Sequence, residues 1–580
     1  MNPTSSFSFQ VLAPEIALVA AALVAWLGAA FLGLRAGWLV ALAGIGGAAV
    51  LAGGEPAAGA VIASGGVVID SFSLFNRWTV LVLGGLLALV QAGDLFPAAL
   101  SRGPGLRRGG TCEEAGTFLV MLAGLSLVGV AGDLVLLFAG LELVSIPTYI
   151  LLGLKRTDAH GQEAGLKYFF LSLVASAFFL YALVCLYGIG GSTNLAEIAA
   201  RIRAADVGIA GGVKPLLPAA LGMALVGAAF RLAAVPMHFY APDVYEGTSP
   251  GNAALLSTLP KVAGIVVLAR VLALGIAPEQ AGQATGGMAV AWLDILWQLA
   301  AVLAAVTMTV GNVMALGQRS LRRLLACSSI AHAGYLLVGI AAAAAAAAAR
   351  AGQPLGDVGG LDTGWVLRLG GMAATLFYLA TYALATIGIF GAITYLGHRW
   401  PEWTADSGPR PPREEIATVD DLDGLASTNP VAAFAITAFL LSLAGIPPLP
   451  GFWGKLSLAT ASLAVDWNAP LVTGSRRAWF VGLAVVLVIN AAIAAAYYLR
   501  IIAAMYFKSS KRGVQADGGL AAGVAMLFCL VALVGVSLAP GGLVARTRTA
   551  GSVVSGGDRP ATEVRATPRG QAGGPVAGIR

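Results

Sequence analysis

The chain has 580 residues, of which 58% are hydrophobic and only 11% charged, and its mean hydropathy is +0.83. This composition excludes an ordinary soluble globular protein, because about 25% of the residues in soluble domains are charged. The net charge of +6 does not indicate nucleic-acid binding, since the basic residues lie in short loops between apolar stretches rather than on one folded face.

Apolar stretches long enough to cross a bilayer, which needs about 20 residues, recur along the chain. Hydropathy predicts about fourteen spans. They lie near 13 to 34, 37 to 64, 72 to 94, 116 to 131, 133 to 154, 164 to 188, 216 to 236, 251 to 274, 291 to 315, 322 to 348, 365 to 396, 431 to 462, 478 to 507 and 519 to 539. No basic region precedes the first apolar run, so we interpret it as a permanent span and not as a cleaved signal peptide. The sequence therefore predicts an all-α polytopic membrane protein.

The basic loop residues predict that the N-terminus lies outside the cell, because one side of the predicted membrane carries most of them and that side should be cytoplasmic. These residues are Arg35, Arg102, Arg107, Arg108, Lys155, Arg156, Arg319, Arg322, Arg323, Arg410, Arg413, Lys508, Lys511 and Arg512. The opposite side carries a smaller group, namely Arg201, Arg203, Lys214, Arg476, Arg477 and the Arg-bearing tail.

Two predicted spans are interrupted by proline and glycine and are followed by a lysine. Pro236 interrupts the first and Lys261 follows it, whereas the segment 445 to 450 interrupts the second and leads to Lys455. Interrupted spans in corresponding halves indicate an inverted-repeat transporter fold, in which discontinuous helices expose backbone groups to a central polar site. We therefore predict two inverted five-helix repeats.

The corresponding domain organisation has four parts. The predicted boundaries are 1–112 for the first three spans, 113–274 for the first repeat, 275–515 for the second repeat, and 516–580 for the last span with a tail. The stretch from 541 to 580 is rich in Gly, Arg and Thr and poor in apolar residues, which predicts a disordered tail.

Four ionisable side chains inside predicted spans are candidate pathway groups, because intramembrane charge is costly and usually functional. Glu142 lies mid-span just before Pro147 and needs a cation or a proton, with a purely structural ion pair as the alternative. Lys261 and Lys455 lie close to the interrupted spans, where freed carbonyls can line a cavity. Lys167 lies near the start of its span, so it could instead extend to the surface.

Three further residues lie at the interruption of the seventh span or in SSIAHAGY at 328 to 335. Arg231 keeps its proton at any biological pH, so it can pair with Glu142 but cannot easily carry protons itself. His238 and His332 titrate near neutrality and are candidate proton relays. The alternative for each histidine is a neutral ring that packs a helix joint.

No redox centre is visible in the sequence. The four cysteines have no CxxC or metal-type spacing, which argues against iron–sulfur ligation. The stretch from 44 to 49 formally fits a dinucleotide-binding pattern, but it lies inside an apolar span with no preceding strand, so packing through small residues is the better interpretation. We expect no cofactor and no metal on this chain.

Seven stretches together resemble a known family. They are GLELVSIPTYILLGL, GLKYFFLSLVASAFFLYALVCLYG, AAVPMHFYAPDVYEGTSP, LPKVAG, LLACSSIAHAGYLLVG, LSLAGIPPLPGFWGK and AAYYLRIIAAMYF, and they cover almost the whole region from 113 to 507. In combination they are similar to the antiporter-like proton-pumping subunits of respiratory complex I, the NADH:quinone oxidoreductase, and among these to the subunit N family. The first three spans and the tail match only in general character.

The resemblance implies two half-channels joined by a central polar axis. It places Glu142, Lys167, Lys261 and Lys455 at the family's glutamate and lysine positions, and it departs at Arg231, where the family usually has lysine. Separating the Glu142–Arg231 pair would then lower the cost of charge at Lys261 and drive protons toward Lys455.

The same resemblance implies a location and partners. The chain would lie in a bacterial inner membrane and contact the lipid bilayer, protons and other membrane-arm subunits, but no nucleic acid. NADH, FMN, iron–sulfur clusters and quinone would bind to other subunits, so enzyme activity would belong to the complex. Two alternatives remain open at this point: a subunit of a cation/proton antiporter or membrane-bound hydrogenase, and a structural spacer.

Overall fold

The computed structural model describes residues 11–33, 36–54, 62–64, 66–92, 111–155, 158–204, 216–276, 287–350, 369–399, 414–467, 470–509, 514–516 and 518–555. Its helices in the first half are α1 (Ala13–Leu32), α2 (Gly37–Gly53), α3 (Ser71–Gln91), α4 (Thr111–Val130), α5 (Leu134–Lys155), α6 (Ala159–Gly190), α7 (Leu195–Ala204), α8 (Leu216–Leu232), α9 (Ala241–Gly247) and α10 (Pro250–Leu274). Those in the second half are α11 (Gly287–Leu316), α12 (Leu321–Arg350), α13 (Gly371–Leu396), α14 (Leu425–Thr428), α15 (Pro430–Ala444), α16 (Pro450–Leu463), α17 (Arg476–Phe507), α18 (Leu520–Leu538) and α19 (Gly541–Ser555).

The described helices confirm the predicted membrane architecture. Eleven are long and apolar enough to cross a bilayer, and three shorter apolar helices, α2, α8 and α15, accompany them. Together they correspond one to one with the fourteen predicted spans. The second span, predicted to end at 64, already ends at Gly53, and the span predicted over 431 to 462 is two helices, α15 and α16.

Small strands lie at the helix ends. The hairpin of β1 (Ile62–Ser64) and β2 (Val67–Ile69) connects α2 to α3. A second sheet has the order β4 (Glu414–Glu415), β3 (Gly397–Arg399), β5 (Val514–Ala516). A 3-10 helix, Val419–Leu422, follows β4.

Local sequence signals set several of the helix starts. The Asp70 side chain accepts a hydrogen bond from the Ser73 backbone, and the Ser73 hydroxyl bonds back to the Asp70 backbone, which is a capping box at α3. Ser249 caps α10 in the same sense by accepting from the Asn252 backbone, with a proline next in the chain. These caps satisfy backbone donors that burial would otherwise leave unpaired.

The centre of the molecule is formed by α10, α12 and α13. In their most apolar windows 94%, 94% and 89% of the residues are buried, compared with 28% in α1 and 33% in α17 and α18. The rim helices therefore present their apolar side chains outward, to lipid or to other proteins, and the central helices are where buried polar side chains can be kept from both.

A buried ion pair joins α1 to α3, and a serine of α4 bonds to it. The Arg77 side chain is fully buried, and its Nε and Nη2 atoms each lie 2.9 Å from the Glu15 carboxylate. Ser126 of α4 donates a further hydrogen bond of 2.5 Å to Glu15. Because both charges are buried away from water, each needs the other as its partner where α1 packs against α3.

The predicted disorder of the tail is wrong for residues 541 to 555, which form α19. Val544, Ala550 and Val554 bury one side of this helix, and it packs against α13 and α3. A Cβ added at Gly551 would lie 2.8 Å from the Ala373 backbone nitrogen, so the glycine permits the close approach. Small residues, which lower the hydrophobic signal, are what allows this helix to dock. The rest of the predicted tail lies outside the described residues.

Candidate functional site

The first interrupted span ends where α8 stops at Leu232. After a segment from 233 to 240, which holds a cis Val235–Pro236 bond, the chain resumes as α9. Lys261 of α10 is 1% exposed and donates a hydrogen bond to the Leu232 carbonyl. The lysine thus binds a carbonyl that has lost its helical partner at the break.

The second break lies between α15 and α16. Lys455 is 5% exposed and donates hydrogen bonds of 2.8 and 3.0 Å to the carbonyls of Leu443 and Ala444, at the end of α15. Gly445 follows with φ +87, and a Cβ there would lie 3.0 Å from Lys455 Cδ. Both the backbone conformation and the space require glycine at this position.

The two lysines therefore have equivalent surroundings. Each lies inside the protein and binds carbonyls at the C-terminal end of an interrupted helix, where the helix dipole favours a cation. Within the described residues, neither lysine forms an ion pair with a carboxylate. A lysine held by neutral carbonyls can gain or lose a proton without leaving a buried carboxylate unpaired.

His332 of α12 lies within electrostatic range of both Lys261 and Lys455. Its ring is 1% exposed, with Nδ1 2.6 Å from the Tyr378 hydroxyl and Nε2 3.0 Å from the Tyr498 hydroxyl. Both ring nitrogens thus have partners that can donate or accept a proton. The sequence analysis makes His332 a candidate proton relay, and this role stays a prediction.

Further aromatic side chains surround this centre. Lys455 Nζ lies 4.7 Å from the centroid of the Tyr335 ring, and the His332 and Tyr335 rings pack edge to face with centroids 5.7 Å apart. The face of an aromatic ring attracts a cation, so Tyr335 stabilises a charged Lys455. Lys261, His332 and Lys455, with the tyrosines that contact them, are called the central cluster below.

Glu142 and Arg231 meet as the sequence predicts. Arg231 Nη2 lies 3.8 Å from Glu142 Oε1, while Arg231 Nη1 donates a hydrogen bond of 2.6 Å to Ser145. Ser176 of α6 donates a hydrogen bond of 2.6 Å to the same Glu142 oxygen. The Arg231 side chain is 6% exposed and that of Glu142 is 26% exposed, so the arginine is buried while the carboxylate is partly accessible.

Lys167 and His238 lie apart from the central cluster. The Lys167 side chain is 40% exposed and forms ion pairs of 2.7 Å with Glu163 and 2.8 Å with Asp243. His238 is half-buried in the segment that follows α8, next to the exposed Phe239. The structure thus brings together Lys261, His332 and Lys455, places Glu142 with Arg231, and leaves Lys167 and His238 at the periphery.

Asp243 of α9 connects α6 and α12 near the surface. It accepts hydrogen bonds of 2.8 Å from Lys167 of α6 and 2.8 Å from Arg323 of α12, and Arg323 also bonds to Glu246 at 2.9 Å. Burial disfavours the charged form of Asp243, but the hydrogen bonds from Lys167 and Arg323 outweigh burial and hold the pKa of Asp243 below its ordinary value. Asp243 is therefore ionised at neutral pH.

Several polar residues at the site were missed by sequence reasoning. Buried tyrosines and amides carry no charge, so neither hydropathy nor a search for intramembrane charge finds them. They are Tyr245, Ser329, Tyr378, Tyr382 and Tyr498 near His332, and Asn312, Asn490 and Tyr497 between α11 and α17. The available signal was the pair of serines before His332 and the tyrosines spaced four apart in FYLATYALAT.

Comparison with known proteins agrees with this arrangement. The family model described as NADH:quinone oxidoreductase/Mrp antiporter, TM, matches residues 131–352 and 362–480, which include Lys261, His332 and Lys455. The chain is 34% identical over 445 residues to NADH-quinone oxidoreductase subunit N of Trichlorobacter lovleyi, covering 77% of this chain and 76% of that protein. It is 37% identical over 451 residues to subunit N 1 of Sorangium cellulosum, covering 77% and 75%.

A solved structure extends the match to the fold. A chain of respiratory complex I from Thermus thermophilus with bound aureothin superposes with a TM-score of 0.67 at 27% identity, covering 92% of this chain and 99% of that one. The long apolar helices and the two interrupted spans thus agree with the family model and with the solved structure. The protein is a multi-pass membrane protein that belongs to the NADH:quinone oxidoreductase/Mrp antiporter transmembrane family, among the relatives named NADH-quinone oxidoreductase subunit N.

Proposed function

We propose that this chain translocates protons as a membrane-arm subunit of an NADH-quinone oxidoreductase in a bacterial inner membrane. The names of its relatives support this assignment, since both are subunit N of an NADH-quinone oxidoreductase. NADH, FMN, iron–sulfur clusters and quinone bind to other subunits, and this chain contacts neighbouring membrane-arm subunits and lipid. The enzyme activity therefore belongs to the complex.

One observation carries the proposal: two buried lysines, each bound to the carbonyls of an interrupted helix, lie within electrostatic range of one buried histidine. A proton that arrives at Lys261 can pass through His332 and its tyrosine partners toward Lys455. The proton is held first at Nζ of Lys261, then at a ring nitrogen of His332, and finally at Nζ of Lys455. Because the site is buried away from water, the free energy of the proton at each of these groups depends strongly on neighbouring charges.

Glu142 and Arg231 supply that charge in the proposed mechanism. While the pair is closed, the carboxylate offsets the positive charge of Arg231. When quinone reduction in other subunits moves the two apart, the electrostatic cost of charging Lys261 changes. A change of one unit in the pKa of Lys261 corresponds to about 1.4 kcal/mol. We assign the repeats to 113–274 and 275–515, so this pair acts in the first repeat and Lys455 completes the path in the second.

Lys167 and His238 have secondary parts in this proposal. Lys167 acts through Asp243, which it holds next to the first break. His238 lies in that break, where it can respond to movement of α8 relative to α9. Neither residue needs to carry the transferred proton.

The test is proton pumping by the assembled complex in inverted membrane vesicles, with NADH as reductant and a pH-sensitive dye as readout. Lys261→Ala and Lys455→Ala should each lower pumping by about tenfold or more, because a protonatable site disappears. The matched control is Lys508→Ala, which removes an exposed lysine paired with Asp420. Normal pumping by an assembled Lys455→Ala complex would reject the proposal, and NADH-independent exchange of sodium for protons would favour an antiporter instead.

A further inference from the structure

A groove of about 840 Å³ lies between α8, α11 and the start of α17. Its walls are mostly apolar, with Leu225 and Val226 on the α8 side and Leu299 and Val302 on the α11 side. Leu299 and Val302 are exposed, so the groove is open to the outside of the chain. A cavity of this size, with apolar walls and a few polar groups at one end, is typical of a site for a small molecule.

The groove is about as long as one leaflet of a bilayer. On α11 it extends from Asp294 to Leu303, which corresponds to about 14 Å along the helix axis. The hydrocarbon core of a membrane is about 30 Å thick, so one leaflet contributes about 15 Å. The Val235 backbone donates a hydrogen bond of 3.2 Å to Thr307, one turn past Leu303, and Pro236 lines the groove. One acyl chain therefore fits the groove lengthwise and ends at the first break.

The opposite end of the groove, called the charged end below, carries charges of both signs. Arg476 lies 3.1 Å from the Asp294 carboxylate and 3.7 Å from that of Asp466. Arg477 follows in the chain, with its guanidinium 5.3 Å from the centroid of the Trp467 ring. Arg476, Asp294 and Asp466 are all partly exposed. Two cations and two anions thus lie together at this end, and their charges cancel.

Two tryptophans mark the charged end as the level of the lipid headgroups. Trp297 donates a hydrogen bond of 2.8 Å to Asp294, and its ring packs edge to face with that of the exposed Trp479. Tryptophan is enriched where the apolar core of a membrane meets the headgroups, because its ring is apolar and its N–H is polar. The topology expected from the sequence puts Arg476 and Arg477 on the side opposite the cytoplasm, so this end faces the outer leaflet.

We propose that this groove binds one glycerophospholipid of the outer leaflet that has a zwitterionic ethanolamine headgroup. One acyl chain lies between α8 and α11 and covers the first break on the membrane side. The phosphate lies at Arg476 and Arg477, and the ammonium group lies at Asp294 and Asp466. Partly exposed ion pairs contribute little stability, so they can open to admit the headgroup. An anionic headgroup would add a net charge to an end whose charges already cancel, so charge complementarity favours the zwitterion.

Gly222 offers a direct way to fill the groove. This residue of α8 lines the groove, and a Cβ added to it has no atom within 4 Å. Gly222→Phe therefore places a ring in the space of the acyl chain and changes no charge. Gly535→Phe is the matched control, since this glycine of α18 also has open space around an added Cβ but does not line the groove. Phenylalanine is a better helix former than glycine, so we expect both variants to assemble.

The experiment places the assembled complex in phosphatidylcholine vesicles with a small fraction of phosphatidylethanolamine that carries a photoreactive group on one acyl chain. Mass spectrometry then identifies the labelled peptides. Peptides of α8 and α11 should be labelled, and Gly222→Phe should lower that labelling by about tenfold because the ring occupies the groove. Gly535→Phe should leave it unchanged. In the unsubstituted complex, unlabelled phosphatidylethanolamine should reduce the labelling severalfold more than phosphatidylglycerol with the same acyl chains.

Three other results would each overturn the proposal. If α8 and α11 are labelled only as strongly as the exposed side of α18, and equally in Gly222→Phe, the groove is an ordinary lipid-facing surface. If α8 and α11 are not labelled at all, another subunit fills the groove. If phosphatidylglycerol competes as well as phosphatidylethanolamine, the charged end does not select a zwitterion. The competition needs no variant, so it decides the headgroup even if Gly222→Phe fails to assemble.

Discussion

Arg231 lies 3.8 Å from the Glu142 carboxylate but gives its 2.6 Å hydrogen bond to Ser145. The pair is thus held by charge, while the hydrogen bonds of each partner go to a serine, Ser145 for the arginine and Ser176 for the glutamate. A contact of this kind can lengthen without breaking a hydrogen bond between the two charges. That is the property required of a pair whose separation changes the charge of a neighbouring site.

Replacement of Arg231 tests whether a fixed positive charge is sufficient. Arg231→Lys should retain most of the pumping, since a lysine keeps the charge and can bond to Ser145. Arg231→Met should lower pumping by about tenfold or more. Breaking a buried pair costs about 3–5 kcal/mol, and less here because Glu142 is 26% exposed. Pumping assays on both assembled variants decide the matter, and full activity of the methionine variant would contradict a role for the charge.

Replacement of Glu142 tests the opposite partner. Glu142→Gln removes the negative charge and should reduce pumping severalfold, whereas Glu142→Asp keeps the charge and should reduce it less. Ser176→Ala is the matched control, because it removes the hydrogen bond to Glu142 while leaving both charges in place. Equal losses in the Gln and Asp variants would mean that side-chain length matters there and charge does not.

Buried charges were the part of the site that the sequence could predict. Lys261 and Lys455 interrupt apolar stretches and follow helix-breaking residues, so hydropathy alone isolates them. Tyr245 and Ser329 could not be isolated in this way, since neutral hydroxyls occur in many apolar helices and only the packing of α9 against α12 brings these two together. The sequence also could not predict which residue Lys167 pairs with, since its partner Asp243 lies 76 residues further along the chain and only the structure brings the two together.

The ion pair between Glu15 and Arg77 leads to a prediction about stability. Arg77→Met should lower the stability of the chain by about 3–5 kcal/mol, because it leaves the buried Glu15 carboxylate without its cation. Replacing both residues, as Glu15→Leu with Arg77→Met, should recover part of that loss because no lone charge remains. Thermal unfolding of the purified complex measures both. An unchanged unfolding temperature for Arg77→Met would show that the pair does not hold these helices.

Asp243 gives a pH-dependent prediction, because its pKa in the folded chain lies below the ordinary value of about 3.9. Its contribution to stability is fully present above that ordinary value and is lost as the pH falls through the lower folded pKa. The protection of the α9 backbone amides from hydrogen exchange should therefore stay constant near neutral pH, where Asp243 remains ionised, and should be lost only in acid. In Asp243→Asn, α9 should already exchange faster at pH 7, and equal exchange in both forms would contradict the bridge.

Gly445 is the residue whose replacement should affect Lys455 most directly without removing any charge. Its φ of +87 disfavours any side chain by about 1–2 kcal/mol, and a Cβ would lie 3.0 Å from Lys455 Cδ. Gly445→Ala should therefore displace the lysine from the carbonyls of Leu443 and Ala444 and lower pumping severalfold in an assembled complex. Gly535→Ala is the matched control, since that helical glycine of α18 has no atom within 4 Å of an added Cβ. Normal pumping by Gly445→Ala would mean that Lys455 works without its two carbonyl partners.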